Sequence, residues 1–304
     1  MTETSMRSPV EGKAPEPALK VLTMKDLTTE QLPTWCRGCG DFNILFAVKS
    51  ALVDLQLPQE DVLIVTGVGC GSKSNHFIKT YGFEGLHGRP LPVATGAKLV
   101  NKDLTVIVVA GDGDTYGIGA NHLIHTMRRN LDLTLIVQNN EVYGLTKGQY
   151  SPTSPPGFRT PSTPFGSIES PVNPMALALT MGATYIARGY AYEVLHLKKL
   201  LVEGIRHRGF SLIDVFQPCS TYNKVNTIEW YKEHVTKLED AGHDPSSREQ
   251  AWARSWEWEP KTPIGLFYKE QRPTYEDTYL PSQTPPAKQD ISSIDISPIL
   301  AGFR

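Results

Sequence analysis

The chain has 304 residues, with 30 Lys and Arg against 32 Asp and Glu, 40% hydrophobic residues, 23 prolines, 25 glycines and 4 cysteines. That apolar content excludes a largely disordered chain, the near-zero net charge excludes a general nucleic-acid binder, which needs a basic face, and the length fits one large α/β domain or two small ones. The longest apolar runs, such as Thr105 to Ala110 and Leu133 to Val137, fall far short of the roughly 20 residues of a membrane-spanning helix.

No span is therefore expected, and the absence of an apolar signal segment near the N-terminus points to a cytoplasmic protein. In that reducing compartment four cysteines are too few to staple a fold of this size, so their spacing is read as metal or redox chemistry.

In chain order, residues 1–30, rich in Pro, Glu and Ser at their start, are expected to form a flexible leader. Cys36 and Cys39 form a C-x-x-C pair, after which Asp41 is expected to cap a helix whose apolar residues Ile44, Leu45, Val48, Leu52 and Leu55 recur at helical spacing and which Pro58 ends. A buried strand at Val62 to Val65 runs into Gly67-Val68-Gly69-Cys70-Gly71, and a second at Leu104 to Ala110 runs into Gly111-Asp112-Gly113-Asp114. A helix from about Gly119 to Arg129 precedes a third strand, Leu133 to Gln138, which ends at Asn139-Asn140.

Beyond a proline-dense stretch from Ser151 to Pro174, read as a long ordered loop over the site, come a helix near Asn173 to Met181, a strand near Thr184 to Ala187, a helix from Tyr192 to Arg206 and a strand at Ser211 to Phe216. This alternation predicts an α/β fold with a doubly wound, mostly parallel sheet. Ligands of such sheets bind at the carboxyl ends of the strands, where every glycine-rich or polar turn just named falls. The body is placed at residues 31–235, and residues 236–304 are expected to be an irregular extension whose Trp252, Trp256 and Trp258 pack on this subunit or on a partner.

Gly-Asp-Gly-Asp at one strand end and Asn-Asn at the next point to a diphosphate held through a divalent cation. A phosphate cannot sit directly on a carboxylate, and Mg2+ prefers a few hard oxygens such as those of Asp112 and Asn140. The glycines admit close backbone approach, and a helix starting after Asp114 would turn free N–H groups toward the phosphates. The plainer reading, a tight strand-to-helix turn, does not account for Asn139-Asn140 after the next strand. Cys36, Cys39, Cys70 and Cys219 can converge on one rim; four thiolates suit a tetrahedral zinc or a [4Fe-4S] cluster alike, but Cys70 lies inside the glycine turn beside the expected cofactor, where a metal could take electrons.

The motif around Asp112 and Asn140 resembles that of thiamine diphosphate enzymes, in which Val142 would correspond to a backbone-carbonyl ligand of Mg2+. Together with Trp35 to Asp41, Leu86 to Arg89, Ala94 to Gly96 and Tyr143 to Thr153, these segments resemble the β subunits of 2-oxoacid:ferredoxin oxidoreductases, most closely the 2-oxoglutarate type, from roughly Leu32 to Asn223. The resemblance implies a [4Fe-4S] cluster on Cys36, Cys39, Cys70 and Cys219. It also implies thiamine diphosphate contacts from Val68, Gly69, Cys70, Gly71, His87, Gly113, Asp114, Gly144 and Leu145. Arg37 stands where proline is common, which bears only on the stiffness of that loop.

The activity implied is decarboxylation of a 2-oxoacid on thiamine diphosphate, with two electrons leaving singly through the cluster to ferredoxin and coenzyme A taking the acyl group. Lys73 and His87 are the candidates for direct roles: Lys73 to pair with the distal carboxylate that 2-oxoglutarate has and pyruvate lacks, His87 chiefly to position the cofactor. His76 stays unassigned, and Lys147 and Gln149 are candidates either to line the site or to shape its turn. Only the diphosphate half of a thiamine site is expected here, so an α or fused γ-α chain would supply the other half. The alternatives are a pyruvate or broad 2-oxoacid enzyme, a non-oxidative thiamine-dependent decarboxylase with structural zinc, and a non-enzymatic metal protein.

Overall fold

The computed structural model describes residues 21–279, 284–292 and 294–303. The start of the expected leader, residues 1–20, lies outside them. Residues 21–30 do not behave as a free leader: Leu27 is 1% exposed within the core and Thr28 forms a β-bridge to Ile78. One buried leucine among polar neighbours has no period to betray it, which is why composition alone placed it in the leader.

The elements follow in order: α1 (Asp41–Leu55), β1 (Val62–Thr66), β2 (Tyr81–Glu84), α2 (Pro90–Val100), β3 (Thr105–Gly111), α3 (Ala120–Arg129), β4 (Thr134–Asn139), a small hairpin of β5 (Val142–Tyr143) and β6 (Gln149–Tyr150), α4 (Pro174–Met181), β7 (Tyr185–Tyr190), α5 (Val194–Arg206), β8 (Ser211–Phe216), α6 (Ile228–His234), β9 (Val235–Lys237), α7 (Arg248–Ser255) and β10 (Thr262–Lys269). The eight-stranded sheet has the order β2-β1-β3-β4-β8-β7-β10-β9. Its strands from β2 to β7 are parallel, and β10 joins β7 antiparallel.

Strand alternation divides the core. Val106, Val108 and Ala110 face a layer with Leu91 and Ala94 of α2, Leu123 and Met127 of α3, and Met175 and Leu179 of α4. Ile107 and Val109 face the opposite layer, where Ile44, Val48 and Leu52 of α1 meet Leu197, Leu200 and Leu201 of α5. These helical residues recur every three or four positions, so each helix buries one stripe. Apolar material on both faces of the central strands is what a sheet covered on both sides requires.

Three local expectations change. Gly40, not Asp41, stands at the N-cap of α1, and the Asp41 side chain is buried in the first turn. No regular helix starts right after Asp114: a wide turn spans Gly113–Ile118, broken at Gly117, and α3 begins only at Ala120. The tail after residue 236 is not wholly irregular, because β10 extends the sheet and α7 packs against α4. Antiparallel pairing with β7 is a long-range fact that the pattern Thr-Pro-Ile-Gly-Leu-Phe-Tyr-Lys does not announce.

β2 and α2 are among the elements that had no sequence signal. β2 lies exposed at the sheet edge and lacks an apolar run, while α2 opens on Pro90, a residue that fits the first helical turn but reads as a breaker in sequence. Among the described residues no helix is long and apolar enough to cross a membrane.

Candidate functional site

Because β1, β3, β4 and β8 run parallel, their carboxyl ends bring Gly67 to Gly71, Asp112, Asn139-Asn140 and Gln217 to Cys219 to one edge. A cleft of about 220 Å3 opens there, lined by Val68 to Gly71, His87, Gly111 to Asp114, Gln138, Asn140 and Val142 to Thr146. Every cofactor contact expected from the sequence lies in this lining. Val68 and Leu145 are 39% and 47% exposed, apolar surface that a bound ring system would cover.

Asp112 is buried, and its Oδ2 accepts hydrogen bonds from Ser151 Oγ at 2.5 Å and Thr153 Oγ1 at 2.6 Å. Burial outweighs those donors and pushes the carboxyl up to about 6. Asn140 Oδ1 accepts from the Val142 backbone N–H at 3.1 Å, and its Nδ2 donates to Gln217 Oε1 at 2.9 Å. Between Asn140 and Val142 the chain passes through Glu141 at φ 57, a left-handed conformation that costs a non-glycine residue about 1–2 kcal/mol. The buried Glu141 side chain, which accepts from Tyr231 Oη at 3.0 Å, helps hold that turn, so that Asn140 and Val142 both line the cleft. Burial pushes Glu141 up to about 8.

Asp114 acts as a clamp. Its Oδ1 accepts from the Gly88 N–H at 2.5 Å and the Val68 N–H at 3.4 Å, and lies 2.6 Å from His87 Nδ1. With Nδ1 donating to the carboxylate, Nε2 is the free nitrogen of the neutral ring. The Asp114 Oδ2 stands 1.7 Å from where a Cβ would be on residue 67, so only glycine fits there. His87 is therefore oriented by Asp114, and its ring meets Tyr143 edge to face at 6.0 Å.

The proline-dense segment folds beside this cleft and, with His87, Tyr143 and Thr146, borders a second, open hollow of about 760 Å3 lined by Gln149 to Pro152, Ser154, Glu169 and Val172 among others. Lys73 is not in the cleft lining; its Nζ lies 3.4 Å from Thr34 Oγ1. His76 is exposed and pairs with Glu84 at 2.8 Å, away from the cleft, and Lys147 is exposed at φ 80.

The four cysteines come from three segments that are tied together. Trp35 Nε1 donates to the Cys70 carbonyl at 2.7 Å, Ser220 Oγ to the Arg37 carbonyl at 3.0 Å, and Tyr192 Oη to the Gly38 carbonyl at 2.9 Å. These bonds stiffen the loop that lacks the proline. Cys70 and Cys219 Sγ lie 3.6 and 3.8 Å from the position a Cβ would take on Gly144, so both thiols border the cleft. Gln217 Nε2 donates to Cys39 Sγ at 3.1 Å, and the Tyr222 N–H to Cys219 Sγ at 3.4 Å.

Among the described residues no group of three or more His, Cys, Asp or Glu side chains is close enough together to hold a single metal ion. Burial, followed by the nearby Asp41 carboxylate, raises the Cys39 thiol far above its usual range and Cys70 to about 11.

Four functional candidates escaped the sequence reading. Ser151 and Thr153, which hold Asp112, sit inside the segment Tyr143 to Thr153 but carry no pattern of their own. Gln138 is 1% exposed and lines the cleft with both polar atoms of its amide unpartnered; its place directly before Asn139-Asn140 was the available signal. Gln217, two residues before Cys219, was the fourth.

The close packing at Gly113 gives a first prediction. A Cβ there would lie 2.1 Å from Tyr143 Cε1 and 2.5 Å from its Cζ, so Gly113→Ala must displace a ring that lines the cleft. The expected cost is about 1–3 kcal/mol of stability, read by urea denaturation, with weakened thiamine diphosphate binding measured by titration.

Comparison with known proteins adds to this geometry. Residues 67–215 match the family described as thiamine pyrophosphate enzyme, C-terminal TPP binding domain, and residues 219–283 match the family described as the C terminal of the pyruvate ferredoxin oxidoreductase beta subunit. The chain is 48% identical over 255 residues to the 2-oxoacid:ferredoxin oxidoreductase subunit beta of Saccharolobus solfataricus, covering 80% of this chain and 84% of that one. It is 37% identical to the 2-oxoglutarate synthase subunit KorB of Archaeoglobus fulgidus, over 80% of this chain and 88% of the relative. Among solved structures, the 2-oxoglutarate:ferredoxin oxidoreductase from Magnetococcus marinus with 2-oxoglutarate, coenzyme A and succinyl-CoA bound superposes with a TM-score of 0.84 at 36% identity, covering 93% of this chain and 96% of that chain.

Proposed function

The chain belongs to the 2-oxoacid:ferredoxin oxidoreductase β subunits, and from that premise we propose that it takes 2-oxoglutarate, passing electrons from thiamine diphosphate to ferredoxin with coenzyme A as acyl acceptor. The observation that carries the electron-transfer part of this reading is the meeting, at one sheet edge, of the cleft and a cysteine rim that share the turn Val68 to Gly71; the choice of 2-oxoglutarate is supported by the KorB relative and by the 2-oxoglutarate-bound structure that this chain resembles. Thiamine diphosphate, when bound, supplies the electron sink for decarboxylation. Asp112, Asn140 and the Val142 carbonyl are the residues that would hold Mg2+, a donor set of hard oxygens that suits it. Cys36, Cys39, Cys70 and Cys219 would hold a [4Fe-4S] cluster. The N–H groups already aimed at Cys39 and Cys219 suit thiolate ligands, bound iron offsets the cost of ionising buried thiols, and a cluster, unlike zinc, can carry the electrons that the reaction releases.

Asp114 keeps His87 in one tautomer and orientation, a positioning role. Val68 and Leu145 exclude water from the cofactor face. This chain provides one wall of the site; the similarity of its β-subunit relatives supports an α or fused γ-α chain as the provider of the other, so β subunit purified alone is expected to be inactive.

Co-purification with the α chain under anaerobic conditions, followed by visible absorption and EPR after dithionite reduction, tests the reading. A colourless, EPR-silent complex holding stoichiometric zinc would refute it.

Substrate choice is proposed for Lys73, which stands outside the cofactor cleft with its ammonium 3.4 Å from Thr34 Oγ1, so the distal carboxylate would have to extend past the Cys70 turn to meet it. Lys73→Met is expected to lower kcat/KM for 2-oxoglutarate about 10- to 100-fold, the worth of one charge-assisted hydrogen bond, and to leave pyruvate turnover nearly unchanged. Equal losses for both substrates would remove Lys73 from that role.

A further inference from the structure

We propose that Gln217 is a positioning residue that sets the reduction potential of the cluster and links the cluster to the metal-binding turn. The inference rests on the cluster reading above. Gln217 continues β8: its backbone N–H donates to the Asn139 carbonyl at 2.8 Å, so it enters the site in register with the strand that carries Asn139 and Asn140. Its side chain is 1% exposed and spans the gap between the two halves of the site. Nε2 donates to Cys39 Sγ at 3.1 Å, while Oε1 accepts from Asn140 Nδ2 at 2.9 Å. Asn140 Oδ1 in turn accepts from the Val142 N–H at 3.1 Å.

The result is a directed chain from the Val142 amide, through the two side-chain amides, to a sulfur of the C-x-x-C pair. Its direction is fixed by chemistry: flipping Gln217 would set its NH2 against the Asn140 NH2, donor against donor. Position is fixed by packing, since a Cβ on Gly40 would stand 3.1 Å from Gln217 Cγ. The amide is thus held in one place by Gly40 behind it and by partners at both ends.

An N–H directed at a cysteine sulfur stabilises the extra negative charge of a reduced cluster more than it stabilises the oxidised form, which raises the potential. Removing the Gln217 donor withdraws that stabilisation. Through Asn140, the same amide ties the acceptor's sulfur to the side chain that would hold Mg2+.

The test uses the complete enzyme with its α chain. Gln217→Met keeps length and removes both bonds; Gln217→Glu keeps the acceptor for Asn140 and replaces the donor with a negative oxygen. EPR-monitored redox titration is expected to show reduction disfavoured about tenfold in the Met variant, about 59 mV for a one-electron couple, and at least as far in the Glu variant. Midpoints equal to wild type in variants with wild-type iron content would overturn the proposal. If only the Met variant loses iron, the Glu variant decides by the same readout. Loss of iron from both, with thermal unfolding unchanged, would also overturn it, by making Gln217 a residue of cluster retention. A wild-type complex with no cluster signal would instead overturn the cluster reading itself, so the two failures are distinguishable.

Discussion

Asp112→Asn is expected to yield a folded protein that no longer responds to Mg2+ or thiamine diphosphate, with activity of the reconstituted complex down by about a thousandfold or more, some 4 kcal/mol of lost function. Both halves of this expectation follow from the burial of the side chain. The amide oxygen still accepts from Ser151 Oγ and Thr153 Oγ1, so the wall of the cleft is preserved. What disappears is the negative charge.

Without bound metal that charge is a burden, because burial raises the carboxyl to about 6. An acid whose folded pKa is raised destabilises the fold once pH exceeds its unfolded value, and fully so above the folded one. The variant should therefore be more stable than wild type at pH 7 in the absence of metal, by up to about 3 kcal/mol, with the difference vanishing below about pH 4. Thermal unfolding with and without Mg2+ and thiamine diphosphate measures it. A variant that still gains stability from the pair would remove Asp112 as the metal ligand.

The second large effect is expected at Cys70. Replacing it with Ser removes one of the four proposed cluster ligands, and ferredoxin- or viologen-linked turnover should fall about a thousandfold or more, with loss of the visible chromophore. The fold should survive, because the turn is held by its backbone: the Cys70 carbonyl receives Trp35 Nε1, and Gly71 opens a short helical turn to His76. Thiamine diphosphate binding should persist within a few fold, since Asp112, Asn140 and the Asp114 clamp are untouched. A structural zinc would give the opposite pattern, lowered stability with electron transfer already absent in wild type. Calorimetric titration of the cofactor beside the viologen assay separates these outcomes.

The two substitutions dissect adjoining parts of one edge, and the sequence exposes these parts unequally. The place of Asp112, Asn140 and Cys70 at this edge was legible because each sits in a short motif directly after an apolar strand, and a parallel sheet brings such ends together whatever the loops do. Asp114 was legible as a neighbour of the proposed metal ligand Asp112, but its role as a clamp on His87, Gly88 and Val68 was not, since those partners are 26 to 46 residues away. Lys73 follows Cys70 closely in sequence, yet the short helical turn after Cys70 carries its ammonium to Thr34 and away from the cleft lining. Sequence proximity to a ligand does not fix the direction of a long side chain.

By itself, the sequence determined the α/β class and the strand ends at which the candidate oxygen and sulfur donors gather, because hydrophobic period and strand-end turns are local properties. Only the tertiary structure decided that β10 closes onto β7, that Leu27 belongs to the core, that Ser151 and Thr153 hold Asp112, and that Gln217 spans Cys39 and Asn140. Each of these depends on side chains far apart in sequence meeting at one distance and angle. A single serine, threonine or glutamine has no period to reveal it, and its partner is fixed only when strand register and helix packing place both ends of the bond.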